Sequence, residues 1–213
     1  MPITRHIIIH EGLSERAYLQ ALQSFLEKQP LDGWKIPLRF IFPKNARVGN
    51  GKCANVLSTY RNVYKENKRE SSIQILVDFD TYHRNDQNNQ ETYQNKPAKI
   101  PDFLFSFHNF EDFLALHFET ARFESWKQAM QVQNHFQSPL HKGNHLSVFK
   151  TFLPSYDKGS LPVDFLTRHA LQNLKKNKNA LPISPHPAFP RAHSFADFLI
   201  NEIDSIYPSL LTS

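Results

Sequence analysis

Residues 72–80, SIQILVDFD, decide the fold class that the sequence predicts. The apolar run that ends at Val77 is typical of a strand buried on both faces of a parallel sheet. Asp78 and Asp80 follow at its carboxyl end, and in a strand two such side chains would point to the same face. Because like charges repel and hard carboxylate oxygens suit Mg²⁺ or Mn²⁺, we interpret this end as a candidate metal site. The alternative is a solvated strand end that enters a polar turn.

The composition limits the class of protein. The chain has 213 residues, of which 40% are hydrophobic, enough for one full core or a core with an appendage. Its formal charge of +5 weakly favours a polyanionic partner such as nucleic acid. The single Cys53 excludes an intramolecular disulfide framework and fits a reducing compartment. Since we find neither a transmembrane pattern nor a signal-peptide pattern, we expect a cytoplasmic protein with no membrane partner.

The first strand and helix add carboxylates at the same edge. Three consecutive isoleucines predict a buried strand over 4–10, and helical spacing of apolar residues follows as far as about Lys28. We expect Ser14 to cap this helix. Glu11 lies in the turn between strand and helix, and ligands bind at that edge of open α/β sheets. Glu15, in the first helical turn, could face the same crevice or could simply interact with the helix dipole.

A third acidic strand end comes later in the chain. We expect strands over 34–43 and 103–107, and a helix begins directly after the second of them. Ser106 and Glu111 flank this junction, so Glu111 could join the metal site, or it could be a first-turn residue favoured by the helix dipole. The pattern also predicts a helix over 53–70 and a polar loop over 81–99.

Beyond residue 120 the pattern becomes helical and basic. We predict helices over 124–136, 161–178 and 193–207, with a mixed segment at 137–160 and a proline-rich connector before the last helix. This predicts a catalytic core at 1–120 and a helical part at 121–213 packed on it, and the two could form one domain. The spacing of three histidines could suit zinc, although no cysteine or His-Glu-x-x-His context supports it. These histidines are His135, His141 and His145.

Two groups of basic residues could contact nucleic-acid phosphates. The loop 44–52, KNARVGNGK, departs from the phosphate-loop pattern, and its plainer alternative is a flexible connection. Each basic residue is separately explicable as a solvated surface charge, but together we expect them to flank the acidic crevice. The candidates are Lys44, Arg47 and Lys52 in the loop, and Lys175, Lys176 and Lys178 in the later helix.

The order of strands and helices predicts an α/β sheet, and a glutamate after the first strand with D-x-D after a later one resembles the Toprim domain. A closer resemblance is to the RloB-like family, the Toprim group that includes the AbiLii-type abortive-infection component. EGLSERAYL at 11–19 is similar to that family's Glu-Gly-x-x-Glu-x-x-Tyr, and ILVDFD at 75–80 to its D-x-D strand. SFHNFEDFLALHFE at 106–119 is similar to its Ser-Asn-Pro-x-Phe-Glu-x-Trp-Leu-x-x-His-Phe, with Phe-His in place of Asn-Pro and Phe in place of Trp. YDKG at 156–159 and PHPAFPRAHSFADFL at 185–199 extend the resemblance over nearly the whole chain.

The resemblance implies a Toprim-like Rossmannoid sheet with a helical C-terminal extension. It also implies a divalent-metal-dependent nuclease that serves anti-phage defence with a separate ATPase of the AAA or ABC type. By analogy with related systems its substrate would be RNA, with transfer RNA a candidate, or DNA. A homo-oligomer is open.

Phosphodiester hydrolysis needs neutralised oxygens and a deprotonated water, which two divalent ions roughly 4 Å apart supply. We would place one ion on Asp78 and Asp80. The second would lie among Glu11, Glu15 and Glu111, helped by Ser106. Glu11 could instead act as a general acid or base, and Lys158 is the candidate for stabilising the pentavalent phosphate.

Two other classes of protein compete with the nuclease. One is a non-catalytic, metal-binding regulatory subunit of an ATPase complex. The other is a Toprim nucleotidyl transferase, which the short chain without a recognisable zinc or template-binding module disfavours.

Overall fold

The computed structural model describes residues 5–31, 36–67, 72–83, 87–137, 142–181 and 193–212. No helix within these ranges has the length and apolar character needed to cross a lipid bilayer. The strands are β1 Arg5–His10, β2 Arg39–Ile41, β3 Ser72–Val77, β4 Leu104–Phe105 and β5 His193–Ser194. The helices are α1 Leu13–Leu26, α2 Cys53–Glu66, α3 Asp80–His83, α4 Gln87–Gln94, α5 Phe110–Ala115, α6 Thr120–Val132, α7 Lys142–Phe152, α8 Arg168–Asn177 and α9 Phe195–Ile206, followed by a 3₁₀ turn at Pro208–Leu210.

The strands form one sheet in which every pairing is parallel, in the order β2-β1-β3-β4-β5. β1 and β3 make the longest pairing, with Ile7 opposite Ile73 and Ile9 opposite Ile75. The isoleucines of β1 and the last residues of β3 are buried, as expected for a parallel sheet covered on both faces. The predicted α/β class is confirmed.

Apolar clusters on both faces of the sheet hold the helices in place. Ile8 and Leu76 belong to one cluster, which includes side chains of α1, α5 and α9. Ile9 and Val77 belong to the other, which includes side chains of α2 and α4. Successive residues of each strand therefore supply opposite faces, which explains why β1 and β3 are continuously apolar.

The strand order creates a topological switch point between β1 and β3. From β1 the chain crosses to β2 on one side, and from β2 it returns past β1 to β3 on the other side. In open parallel sheets these two connections leave a crevice outside the carboxyl ends of the strands, and ligands bind there. Glu11 follows β1 and Asp78 follows β3, so both lie at this crevice.

The polar segment 81–99 was predicted to be a loop, and this prediction is wrong, because the segment contains most of α3 and all of α4. The buried side of α4 consists of Asn89 and Tyr93. Asn89 Oδ1 accepts a hydrogen bond of 3.0 Å from the backbone N–H of Cys53, and Tyr93 lies in the apolar cluster beneath α2. Contacts distant in sequence therefore stabilise a helix that carries little apolar signal of its own.

The part of the chain beyond residue 120 is not a purely helical extension. His193 and Ser194 form β5, which pairs in parallel with β4, so the helix predicted from His193 begins instead at Phe195. α9 contributes to the same apolar cluster as α1 and α5. Helices on both sides of residue 120 therefore share one apolar cluster. The proline-rich connector before β5 lies outside the described residues.

Other predicted boundaries shift by a few residues. The helix predicted over 161–178 begins only at Arg168, because Thr167 caps it by accepting a hydrogen bond of 3.1 Å from the N–H of Ala170. Of the strand predicted over 34–43, residues 32–35 lie outside the described part, and pairing is confined to β2. The remaining changes are a strand at 104–105 rather than 103–107, helices that end at Leu26 and Glu66 rather than Lys28 and residue 70, a helix at 120–132 rather than 124–136, and α7 within the mixed segment 137–160.

Candidate metal site at the carboxyl edge of the sheet

Glu11 enters the site through the turn between β1 and α1. Gly12 is the N-cap of α1, with an extended backbone, and its carbonyl accepts a hydrogen bond of 2.6 Å from His10 Nδ1. The prediction that Ser14 caps this helix is wrong. Ser14 lies inside the first turn, and its Oγ is 3.0 Å from the hydroxyl of Tyr156. The turn leaves the Glu11 side chain buried at the crevice.

Asp78 joins Glu11 from the adjacent strand end. The backbone N–H of Asp78 donates to Glu11 Oε2 over 3.3 Å. The hydroxyl of Ser106, directly after β4, donates to Asp78 Oδ1. Ser106 therefore reaches the site through Asp78, and the ends of β1, β3 and β4 are tied together at one point.

One pocket of about 190 Å³ brings four of the predicted ligands together. Glu11 and Asp78 come from strand ends, Glu15 from the first turn of α1, and Glu111 from the first turn of α5. All four side chains are buried. The site therefore offers an all-oxygen donor set, which is the set that Mg²⁺ and Mn²⁺ prefer.

The electrostatics of the pocket favour a cation. Burial raises the pKa of Asp78 well above its usual range, and the charges of Glu11, Glu15 and Asp80 add to the rise. Burial also raises the pKa of Glu15 to about 7, with further contributions from Glu11 and Glu111. These carboxylates are thus close enough to repel one another, and a divalent ion among them would relieve that repulsion.

Glu111 differs from its neighbours because donors surround it. Burial acts to raise the pKa of Glu111, but the hydrogen bond and charge of His145, together with the charge of Lys158, lower it overall. The Tyr156 hydroxyl donates to Glu111 Oε1 over 3.1 Å. Glu111 is therefore held as a carboxylate in the pocket, which goes beyond a first-turn residue that interacts only with the helix dipole.

The loop 44–52 is fastened to the end of β1. The N–H groups of Val48 and Gly49 donate to the carbonyls of His10 and Glu11 over 2.9 and 3.1 Å. The loop therefore continues the hydrogen bonding of the sheet beyond β1, whereas its contact with a nucleic-acid phosphate stays a prediction.

Two of the predicted basic residues reach the acidic pocket. Arg47, from the loop beside β1, and Lys158, from the turn after α7, both line it. Lys44 and Lys52 are exposed on the same loop, and neither is among the described residues that line the pocket. The pocket thus combines carboxylates with two cationic side chains.

Gly51 packs directly against the Glu11 carboxylate. Its φ of +61° is a left-handed conformation that glycine adopts without strain. A Cβ at this position would lie 2.5 Å from Glu11 Oε2. Any larger residue would therefore displace the Glu11 carboxylate or the loop.

Asp80 occupies a different position from the one predicted. β3 ends at Val77, and Asp80 begins α3, so the alternation of a strand does not align it with Asp78. Its side chain is buried, and its backbone N–H donates to the carbonyl of His108 over 3.0 Å. Asp80 is not among the described residues that line the pocket, although its charge acts on Asp78. Its role as a ligand stays a prediction.

The three lysines near the end of α8 have protein partners and are not among the described residues that line the pocket. Their proposed role in nucleic-acid binding stays a prediction. Lys175 Nζ is 3.7 Å from Asp204 Oδ1, Lys176 Nζ donates to Thr120 Oγ1 over 2.8 Å, and Lys178 forms an ion pair with Asp197.

The structure contains a buried cluster of Asp112, His135 and His145, of which the sequence indicated only the histidines. His135 and His145, two of the histidines with zinc-like spacing, meet at Asp112, while His141 lies outside the described residues. Burial lowers the pKa of His145, but the carboxylates of Asp112 and Glu111 outweigh it and raise the pKa to about 9. The histidine spacing was the available signal, but the sequence did not indicate Asp112 as their shared partner.

Comparisons with protein-family models, with curated proteins and with solved structures found no significant match to this chain. The resemblance to the RloB-like Toprim group therefore stays a prediction that the motifs carry.

Proposed function

We propose that this protein is a divalent-metal-dependent nuclease of the Toprim type, which hydrolyses phosphodiester bonds in RNA or DNA. In the same proposal, transfer RNA is the candidate RNA substrate, and a partner ATPase controls the protein as an effector of anti-phage defence. The observation that carries the nuclease activity is the convergence of four carboxylates and two cationic side chains in one pocket at the switch point of a parallel sheet. The defence role and the ATPase rest on the motif resemblance.

The carboxylates divide into two groups by their contacts. Asp78 and Glu11 are adjacent, since the N–H of Asp78 donates to Glu11. Glu15 and Glu111 face them from the first turns of two helices, and their charges interact. When bound here, divalent ions would neutralise charge on the attacking and leaving oxygens and lower the pKa of a water. Glu11 is the proposed general acid or base because its charge acts on both Asp78 and Glu15, one carboxylate from each group.

Lys158 and Arg47 give the pocket a means of attracting phosphate. Without cations, buried carboxylates would repel a nucleic-acid backbone. Lys158 lies close enough to Glu111 to lower the pKa of that carboxyl, which puts its charge beside the metal ligands. We assign Lys158 to the phosphoryl oxygens, where negative charge grows during the reaction. Arg47 would contact a neighbouring phosphate and position the strand.

The decisive experiment is a cleavage assay on metal-stripped protein. End-labelled RNA, including transfer RNA, and DNA are incubated with the protein in EDTA, Mg²⁺ or Mn²⁺, alone and with a candidate ATPase. The proposal expects cleavage that needs the divalent ion and is lost in Asp78→Asn. Asp164→Asn, which changes an exposed carboxylate between α7 and α8 that is not among the described residues lining the acidic pocket, is the matched control and should cleave like wild type.

Metal binding measured separately distinguishes the regulatory alternative. Electron paramagnetic resonance of Mn²⁺ reports binding without any need for turnover. Mn²⁺ binding that Asp78→Asn abolishes, with no cleavage of RNA or DNA under any condition, would instead identify a non-catalytic metal-binding subunit. Cleavage that survives in EDTA or in Asp78→Asn would contradict the proposed site.

A further inference from the structure

A cluster of buried ionisable side chains lies directly behind the acidic pocket. Asp112 belongs to α5, His135 follows α6, and His145 belongs to α7. Their exposed fractions are 1%, 0% and 1%, respectively. Asp112, which follows Glu111 in sequence, is thus in contact with one histidine after α6 and another in α7.

Each oxygen of Asp112 accepts from a different imidazole. His135 Nε2 donates to Oδ2 over 2.8 Å, and His145 Nε2 donates to Oδ1 over 3.1 Å. The backbone N–H of Asn109 also donates to Asp112 Oδ2, over 3.1 Å, as part of the capping box of α5. Three donors, two on Oδ2 and one on Oδ1, therefore fix the carboxylate in orientation.

These separations favour a hydrogen-bonded cluster over a zinc site. Ligands of a tetrahedral zinc ion, with bonds of about 2.0–2.1 Å, lie about 3.3 Å from one another. The 2.8 Å between His135 Nε2 and Asp112 Oδ2 is shorter than that and matches an ordinary N–H···O bond. The two imidazoles also approach different oxygens of Asp112, as two separate hydrogen bonds require.

The second nitrogen of His145 faces the proposed metal site. With Nε2 bound to Asp112, Nδ1 lies 3.7 Å from Glu111 Oε2. The other oxygen of Glu111 accepts from Tyr156 over 3.1 Å. Glu111 therefore accepts a hydrogen bond from a phenol on one oxygen and lies within ion-pair distance of an imidazole on the other, and both partners come from the region between α6 and α8.

We propose that His145, oriented by Asp112, is a positioning residue that fixes the Glu111 carboxylate toward the metal pocket. The inference rests on the proposed function, because it deepens the role of Glu111 as a ligand. Partners that orient a metal ligand commonly change metal affinity by about ten- to a hundredfold when they are removed. The same scale is expected here for Mn²⁺.

The test uses the two amide replacements of histidine, which keep a donor at different distances from the backbone. His145→Gln can still reach Asp112 but loses the group that faces Glu111. His145→Asn can still present a donor toward Glu111 but loses Asp112. We expect His145→Gln to weaken Mn²⁺ binding about tenfold or more, and His145→Asn to recover part of the loss. His169→Gln, at an exposed histidine on α8, is the matched control and should bind like wild type.

A double-mutant cycle with Glu111→Gln separates positioning from general loosening of the fold. If His145 acts through Glu111, adding His145→Gln to Glu111→Gln should cause almost no further loss of Mn²⁺ affinity. Circular dichroism and urea unfolding identify variants that fail to fold. If His145→Gln fails to fold, His145→Asn replaces it in the double-mutant cycle. Three results would overturn the proposal. One is a double variant in which the two single losses of Mn²⁺ affinity multiply, and another is wild-type Mn²⁺ affinity in His145→Gln and His145→Asn when both fold. The third is wild-type protein that contains stoichiometric zinc, which Asp112→Asn removes.

The two proposals fail in different ways. Mn²⁺ binding with the expected coupling but without any cleavage would overturn the nuclease and leave His145 as a positioning residue. Metal-dependent cleavage without coupling between His145 and Glu111 would overturn only the positioning role. Wild-type protein that binds no Mn²⁺ would overturn both.

Discussion

Replacing Glu15 with glutamine is expected to stabilise the metal-free protein, and the gain should grow with pH. Glu15 is buried, and its pKa is raised from 4.5 to about 7, first by burial and then by the charges of Glu11 and Glu111. Between these values the unfolded chain has lost the proton that the folded chain still holds. The contribution of Glu15 to the free energy of unfolding of wild type therefore falls as pH rises through this range.

The magnitude follows from that difference in pKa. At about 1.4 kcal/mol per pKa unit, the change from 4.5 to about 7 corresponds to a penalty of about 3 kcal/mol once Glu15 is ionised in the fold. Glutamine has nearly the same shape and keeps an oxygen that can accept the hydrogen bond from Gly12. The Glu15→Gln protein should thus exceed wild type by about 3 kcal/mol near pH 8 and by less than about 1 kcal/mol near pH 5.

Urea unfolding in EDTA at these two pH values measures the effect. Glu124→Gln is the matched control, because Glu124 is exposed on α6 and pairs with Lys127 at 3.1 Å; its change should stay within about 0.5 kcal/mol. Adding Mn²⁺ should stabilise wild type more than Glu15→Gln, since binding to the folded state raises stability. A variant that is less stable than wild type in EDTA near pH 8, or that gains equally at both pH values, would refute the reasoning.

Three further outcomes are expected. Asp78→Asn should abolish Mn²⁺-dependent cleavage while keeping the circular dichroism spectrum and at least wild-type stability in EDTA, because it removes charge but not shape; an unfolded or fully active variant would argue against the site. Arg47→Glu should weaken nucleic-acid binding and flatten its salt dependence by about one counterion, as measured by fluorescence anisotropy, whereas Lys44→Glu on the same loop should do less; wild-type binding by Arg47→Glu would remove Arg47 from the interface. Burial lowers the pKa of His117 to about 4, and its Nε2 accepts from the Tyr18 hydroxyl at 2.9 Å, so only the neutral ring fits. The contribution of His117 to the free energy of unfolding should therefore fall by up to about 3 kcal/mol as pH drops from about 6.5 to about 4, opposite in direction to that of Glu15, and a ring pKa near 6.5 by NMR would contradict this.

The sequence predicted those elements whose signal is local. β1 and β3 were found because a parallel strand covered on both faces must be continuously apolar. α4 was missed because its stability depends on the bond from Cys53 to Asn89 and on the burial of Tyr93, which no local pattern indicates. β5 was missed because its two residues pair with β4, some ninety positions earlier, and leave no run of their own.

The residues of the site can likewise be divided into those that the sequence could predict and those that it could not. The meeting of Glu11 and Asp78 could be predicted, because parallel strand order forces their carboxyl ends to one edge. The position of Asp80 could not, because the strand stops at Val77 and a helix begins. The approach of His145 to Glu111 depends on how α7 packs behind α5, and sequence spacing carries no information about that.

The contact between Tyr156 and Ser14, separated by 142 positions, has a consequence for biosynthesis. The ribosome makes the N-terminal carboxylates first and Lys158 much later. At about 5–20 residues per second the interval is on the order of 10 s. During that interval a nascent chain carries the first ligands and Arg47, but lacks Lys158, the second of the two cations that line the pocket, and the donors that contact Glu111. A chain interrupted before Tyr156 is therefore expected to be released with an incomplete pocket, because it lacks both the phenol that donates to Glu111 and the charge of Lys158.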